Sequence, residues 1–207
     1  MNQKSPKSPS SPNNCQESEK SRKYDRQLRL WGDNGQNRIE SAHVCLINAT
    51  AAGTEILKSL VLAGVGSFTI IDDVIVSSED ANNFFLNSDS LGKNRAKECC
   101  SFLIEMNPDV RGDYIEDSLD NILESNPDLF ANFSVVCAAN IFNEKTLIKL
   151  SKILWRLNVP FLLCCTIGFV GYLRFQVAEH TIIESHPDNV LEDLRLDAPF
   201  PGMLAFP

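Results

Sequence analysis

Downstream of residue 42 the chain alternates short apolar runs with amphipathic stretches, and this alternation sets the expected elements. Residues 43–48 are an apolar run rich in Val, Leu and Ile, with the length of a buried strand. Residues 53–64 place Ile56, Leu57, Leu60 and Val61 at i, i+1, i+4, i+5, the pattern of a helix packing one face on a sheet. Gly64 and Gly66 punctuate its end, and residues 67–72 form a second apolar run that closes on Asp72. The spacing then predicts a helix over 93–106 with Ala96, Cys99, Cys100, Leu103 and Ile104 inward, and a strand at 110–115. A short helix follows at 117–125, capped by Asp117 or Ser118, then a buried strand at 133–138 and a helix at 144–157. A strand at 160–166 opens on Pro160, and residues 168–177 and 181–184 read as β-ribbon. Strands alternating with helices predict an α/β class: a Rossmann-like three-layer αβα domain with a largely parallel sheet and a C-terminal β-ribbon.

The part before residue 43 has a different pattern. Residues 1–22 are polar, with Ser-Pro pairs at Ser5, Ser8 and Ser11, and are expected to be a disordered tail open to a proline-directed kinase. In the next stretch Tyr24, Leu28 and Trp31 fall at i, i+4, i+7, an apolar stripe suited to docking on a body or a partner. Arg22, Arg26 and Arg29 share that spacing on another face. Gly32 is expected to end this helix, with a second short one at 36–42. Three arginines in line read as a solvated face, or as guanidinium groups offered to a phosphate across an interface.

Composition narrows the classes. At 207 residues and 43% apolar content, one α/β domain with a sizeable core is expected. A net charge of −8 argues against nucleic acid as a partner. No apolar run reaches the roughly 18 residues of a membrane span, and no apolar leader core precedes the domain. An intracellular chain, cytoplasmic or nuclear, is the expectation. The cysteines lie in apolar runs, in a helical pattern or in the tail, with no C-x-x-C pair, so neither zinc nor a nucleophilic thiol is expected.

Strand, turn, helix, strand, acid is the opening of a dinucleotide fold, with Asp72 at the distance expected of a ribose-binding carboxylate. The turn, however, departs from what a phosphate requires. Glycines at 48, 50 and 53 would let a pyrophosphate approach the backbone at a helix N-terminus; the residues are Asn48, Thr50 and Gly53. A β-branched Thr50 sets heavy atoms where the phosphate would lie, and a non-glycine residue at positive φ costs about 1–2 kcal/mol. On residues alone, an ordinary βαβ unit and a nucleotide fold that has lost its nucleotide both remain open.

Six stretches taken together carry a resemblance: KYDRQLRLWG (23–32), the 40–72 unit with its NATAAGTE turn, NNFFL (82–86), LGKNRA (91–96), GYLRFQV (171–177) and ESHPDNVLEDLRLDAPFP (184–201). The chain resembles the adenylation-domain (ThiF-type) family of ubiquitin-like-activating enzymes and their bacterial sulfur-carrier relatives. Within it, NATAAGTE, NNFFL and the SHPDN–LEDLRLD run are similar to the regulatory, adenylation-inactive halves of heterodimeric neddylation-activating enzymes. The resemblance covers 23–201, an incomplete pseudo-adenylation domain because the family's chains continue further, and 202–207 is a divergent tail.

The resemblance implies a site that can be checked group by group. Where active halves carry glycines, this chain has Asn48 and Thr50 beside the retained Gly53; where they carry an Asn-Arg-Gln run, it has Asn82, Asn83 and Phe84. Their lysine matches Arg95, and their magnesium-holding acid finds no counterpart in Cys137-Ala138-Ala139-Asn140. Asp72 alone survives. The family likeness therefore implies no catalytic residue, no metal ligand and no cofactor on this chain. ATP and magnesium are expected on a catalytic partner subunit in a heterodimer, with a ubiquitin-like modifier engaged through the complex. Arg26, in YDRQ, matches the arginine that reaches in trans into the partner's nucleotide site. The alternatives are a self-sufficient adenylating enzyme, an NAD-dependent oxidoreductase, or a truncated product without function.

Overall fold

The computed structural model describes residues 22–181. The expected tail up to residue 21, the ribbon residues 182–184, and the family stretch and divergent end beyond them lie outside the described residues. Among the described residues six strands form one sheet: β1 (His43–Ile47), β2 (Ser67–Ile71), β3 (Arg111–Ile115), β4 (Val135–Ala139), β5 (Phe161–Ile167) and β6 (Val170–Gln176). Their order is β3-β2-β1-β4-β5-β6. All pairs are parallel except the β5–β6 hairpin. The helices are α1 (Asp25–Ser41), α2 (Ala51–Leu62), α3 (Arg95–Met106), α4 (Leu119–Ser125) and α5 (Glu144–Arg156).

The strand period divides the core in two. Val44, Leu46, Phe68 and Ile70 bury one face against α2 and α3, where Leu57, Val61, Cys99 and Leu103 pack. Cys45, Ile47, Val136 and Phe161 bury the other against α4 and α5, with Ile122, Leu150 and Leu154. Helices on both faces of a parallel sheet explain why its strands read as continuous apolar runs. The strand order reverses at β1, whose neighbours β2 and β4 leave in opposite directions, so a crevice opens at the carboxyl ends of β1 and β4.

The expected strands and helices are found with boundaries within two residues. Side chains set several ends. Ser118 is the cap of α4, Asn94 of α3 and Asn143 of α5, each accepting a bond from a first-turn amide. Two 3₁₀ turns, Ser78–Asp80 and Ser88–Ser90, were not expected; each is held by a reciprocal capping box, Ser77 with Asp80 and Asn87 with Ser90. At Gly32 α1 breaks, with φ 66° and ψ −178°, and it resumes at once rather than at residue 36. Ile104, expected inward, is 37% exposed. It lies over Gly112 on β3, the sheet's edge strand, where burial is incomplete.

Candidate functional site

The turn after β1 is built by three residues with three different reasons. Asn48 takes the left-handed conformation, φ 65°, that a glycine would otherwise supply, and its amide donates to the Ala139 carbonyl at 3.1 Å, tying β1 to β4. Thr50 needs no left-handed backbone. It sits at φ −67° with no strain, as the N-cap of α2, and its hydroxyl accepts from the Gly53 amide at 3.4 Å. The hydroxyl thus covers an amide that a phosphate would otherwise meet. Gly53 is retained for packing: a Cβ there would stand 2.6 Å from the Asn48 carbonyl oxygen and 2.9 Å from the Ala139 methyl. At the end of β4, Asn140 is also left-handed (φ 52°), and its Oδ1 accepts from the Thr166 amide at 2.8 Å.

Asp72 is buried at the end of β2, and its carboxylate is fully engaged. Oδ2 accepts from the Ala49 amide at 2.7 Å and from Arg95 Nε at 2.8 Å, while Oδ1 accepts from the Val74 amide at 3.0 Å. Arg95, in the first turn of α3, is buried too, and its Nη1 reaches Asp80 Oδ1 at 2.9 Å. Burial opposes the guanidinium charge, but the hydrogen bonds and charges of Asp72 and Asp80 outweigh it and hold its pKa above the ordinary value. One cation bridges two carboxylates where a ribose and phosphates would be received.

Asn83 is buried beside this bridge. Its amide donates to the Ala49 carbonyl at 3.0 Å, and its Oδ1 accepts from the Phe85 amide at 3.0 Å and lies 3.2 Å from the Thr54 hydroxyl. Phe84, the next residue, is 76% exposed and meets Phe85 edge-on at 5.4 Å between ring centroids. Asn48, Thr50, Gly53, Asp72, Asn83 and Arg95 thus lie around the same end of the sheet, and Phe84 stands outside them. Among the described residues, every buried side-chain polar atom has a partner. Asp80 and Thr54 complete the network and carry no signal in the sequence, since the SSED and GTEI stretches read as ordinary loop and helix. Burial pushes the nearby Cys99 thiol up to about 12, leaving it protonated and unreactive at neutral pH.

The basic residues of α1 have another setting. Arg29 pairs with Asp25 at 3.0 Å, one turn away. Arg26 is exposed and makes no hydrogen bond or ion pair among the described residues. Tyr24 is buried as the stripe predicts, Leu28 is half-buried, but Trp31 is 39% exposed. Its indole lies against Gly35, past the break at Gly32, and donates to Gln36 Oε1 at 3.2 Å.

Residues 24–191 match the family model described as "ThiF family". The chain belongs to the ThiF family. The NEDD8-activating enzyme E1 regulatory subunit of Xenopus laevis is 57% identical over 185 residues, which is 89% of this chain and 34% of that protein. The protein of the same name from Danio rerio is 57% identical over 182 residues, 87% of this chain and 34% of its own length. The ThiF chain thus spans about a third of the length of the curated relatives it matches. A solved ThiF-like neighbour, the E. coli tRNA N6-threonylcarbamoyladenosine dehydratase TcdA, superposes with a TM-score of 0.60 at 21% identity, covering 69% of this chain and 59% of that one. At that identity the likeness speaks for the fold alone.

Proposed function

We propose that this ThiF chain is the non-catalytic regulatory half of a two-part activating enzyme. It pairs with a catalytic adenylating subunit that holds ATP and magnesium and activates a ubiquitin-like modifier in neddylation. The observation that carries the reading is Arg95 seated on Asp72 and Asp80. A nucleotide needs those carboxylates free and cations facing outward. Here the acid is neutralised from within, the α2 N-terminus is capped by Thr50, and Asn83 is engaged with Ala49 and Thr54. The residues present do not fit ATP or its metal, and no step of catalysis is assigned to them. The names of the relatives, regulatory subunits of NEDD8-activating enzymes, support the same division of labour.

In this reading Arg26 is the group the chain contributes to chemistry. It reaches from α1 into the partner's ATP site and there neutralises phosphate charge, an arginine finger by role. Its exposure and its lack of a partner among the described residues support this placement. The test is ATP–pyrophosphate exchange by this chain combined with the catalytic subunit of NEDD8-activating enzyme, with association measured separately. Losing a charge-assisted bond to phosphate costs about 1.5–3 kcal/mol, so Arg26→Ala is expected to slow exchange roughly 10- to 150-fold and to leave association unchanged. Micromolar ATP binding by this chain alone would overturn the non-catalytic reading. An unchanged rate would return Arg26 to the solvated face.

A further inference from the structure

Among the contacts that hold the segment carrying Arg26 to the body is one fully buried amide. Asn107, in the connection between α3 and β3, is 1% exposed. Its Nδ2 donates to the Val61 carbonyl at 2.7 Å and to Tyr24 Oη at 3.1 Å. Its Oδ1 accepts from Lys23 Nζ at 2.6 Å and from the Asp109 amide at 3.3 Å. Both amide hydrogens and both lone pairs are therefore engaged, a fully satisfied buried group that admits one orientation. Lys23 also pairs with Asp109 at 2.7 Å, and Gln27 donates to the Ala63 carbonyl at 3.1 Å. Gly64 makes room for the phenol: at its φ of +85° a Cβ would stand 2.6 Å from Tyr24 Oη.

These contacts fix a helix rotation. Lys23 and Tyr24 lie just before α1 and Gln27 in its first turn; at about 100° per residue Arg26 is turned roughly a quarter of a circle from Gln27, away from the side that meets the end of α2. We infer that Asn107 is a positioning residue for Arg26, acting through Tyr24 and Lys23; this rests on the in-trans role proposed above. An apolar dock alone would allow the segment to roll or slide, because burial is non-directional. Two of the four bonds on this amide, to Tyr24 Oη and from Lys23 Nζ, tie the entry of α1 to the body and set the azimuth of the helix, and with it the line along which the guanidinium leaves the surface. Neither Asn107 nor Tyr24 touches the reacting groups.

The test is a double-mutant cycle on ATP–pyrophosphate exchange in the reconstituted complex. Tyr24→Phe keeps the ring and deletes the hydroxyl, so it is the variant that preserves folding, and Asn107→Ala is the stronger companion. Tyr24→Phe is expected to lower the exchange rate about 2- to 12-fold, the value of one neutral hydrogen bond, with ATP KM and subunit association unchanged. In an Arg26→Ala background neither substitution should lower the rate further, because there is no longer a guanidinium to aim. Losses that multiply in that background would overturn the positioning role and leave Asn107 a structural residue. An Arg26→Ala rate equal to wild type would instead overturn the in-trans reading itself, so the two failures are distinguishable.

Discussion

Two arginines of this chain show how the same side chain can have opposite settings. Arg95 lies at the carboxyl end of the sheet, 8% exposed, between two carboxylates. Arg26 lies on α1, exposed, while its neighbours Lys23, Tyr24 and Gln27 take up the available partners at the end of α2. In the crevice Arg95, Asp72, Asp80 and Asn83 face one another and are engaged within the fold. On α1 Lys23, Tyr24, Gln27 and Arg29 are engaged, and Arg26 is left exposed. A buried cation must be paired where it stands, whereas an exposed one can wait for a phosphate from another subunit. In the function proposed above, loss of a site in one half and provision of a group to another would rest on the same chemistry.

The sharpest way to break this contrast is to remove the carboxylate under Arg95. Asp72→Ala leaves a buried guanidinium with Asp80 alone and strips the Ala49 and Val74 amides of their acceptor. Breaking a buried pair from one side costs about 3–5 kcal/mol, so a large drop in denaturation midpoint is expected by urea unfolding. Arg95→Met should cost clearly less, because Asp72 keeps its two amide donors and the methionine fills the space. Equal losses for the two variants would mean that the bridge, and not the carboxylate's full set of donors, holds this end of the sheet.

How much of this was legible beforehand follows from the range of the signals. The β1–α2–β2 unit was readable because strand and helix periods are local. So was the failure of the glycine turn, and Asn48 does occupy the left-handed position. The capping role of Thr50 was not legible, because it depends on where α2 begins, two residues before the apolar periodicity starts. The bridge from Arg95 to Asp72 spans 23 residues and passes a loop of two capped 3₁₀ turns whose shape has no periodicity to read. Asp80 joins the site only because that loop folds back. Asn107 was invisible for the same reason: its partners come from Lys23, Tyr24 and Val61, far along the chain.

A smaller effect tests whether the turn alone closes the crevice. Restoring glycine at Asn48 and Thr50 together is expected to leave isothermal titration with ATP flat. Arg95 still covers Asp72, and no outward cation or metal-holding acid is regained. Stability should move by only about 1 kcal/mol, since a threonine cap replaced by glycine loses a few tenths and the Asn48 amide bond to Ala139 is one ordinary hydrogen bond. ATP binding by the double variant would show that the turn, and not the internal bridge, keeps the nucleotide out.

The smallest effect lies at the other end of α1 and separates anchor from passenger. Sequence periodicity sets Tyr24 and Trp31 on one stripe, which would make either ring a packing anchor. The structure keeps only Tyr24 on the body, at 3% exposure against 39% for Trp31. Removing a fully buried ring costs about 3–5 kcal/mol, but the indole rests on Gly35 beyond the break at Gly32, within its own helix. Its one hydrogen bond is also replaceable: Gln36 retains the Ala63 carbonyl at 3.4 Å and Glu40 at 3.3 Å. Trp31→Ala should therefore cost about 1 kcal/mol, the scale of one net hydrogen bond with partial contact loss, and leave Arg26-dependent exchange intact. Tyr24→Ala should cost several times more and abolish that dependence, because it empties the space at Gly64 and releases Asn107. Thermal melts of both variants, read beside exchange rates with and without Arg26, give the comparison directly. A Trp31→Ala loss as large as that of Tyr24→Ala would move the anchor of the segment past Gly32 and undo the assignment of Asn107.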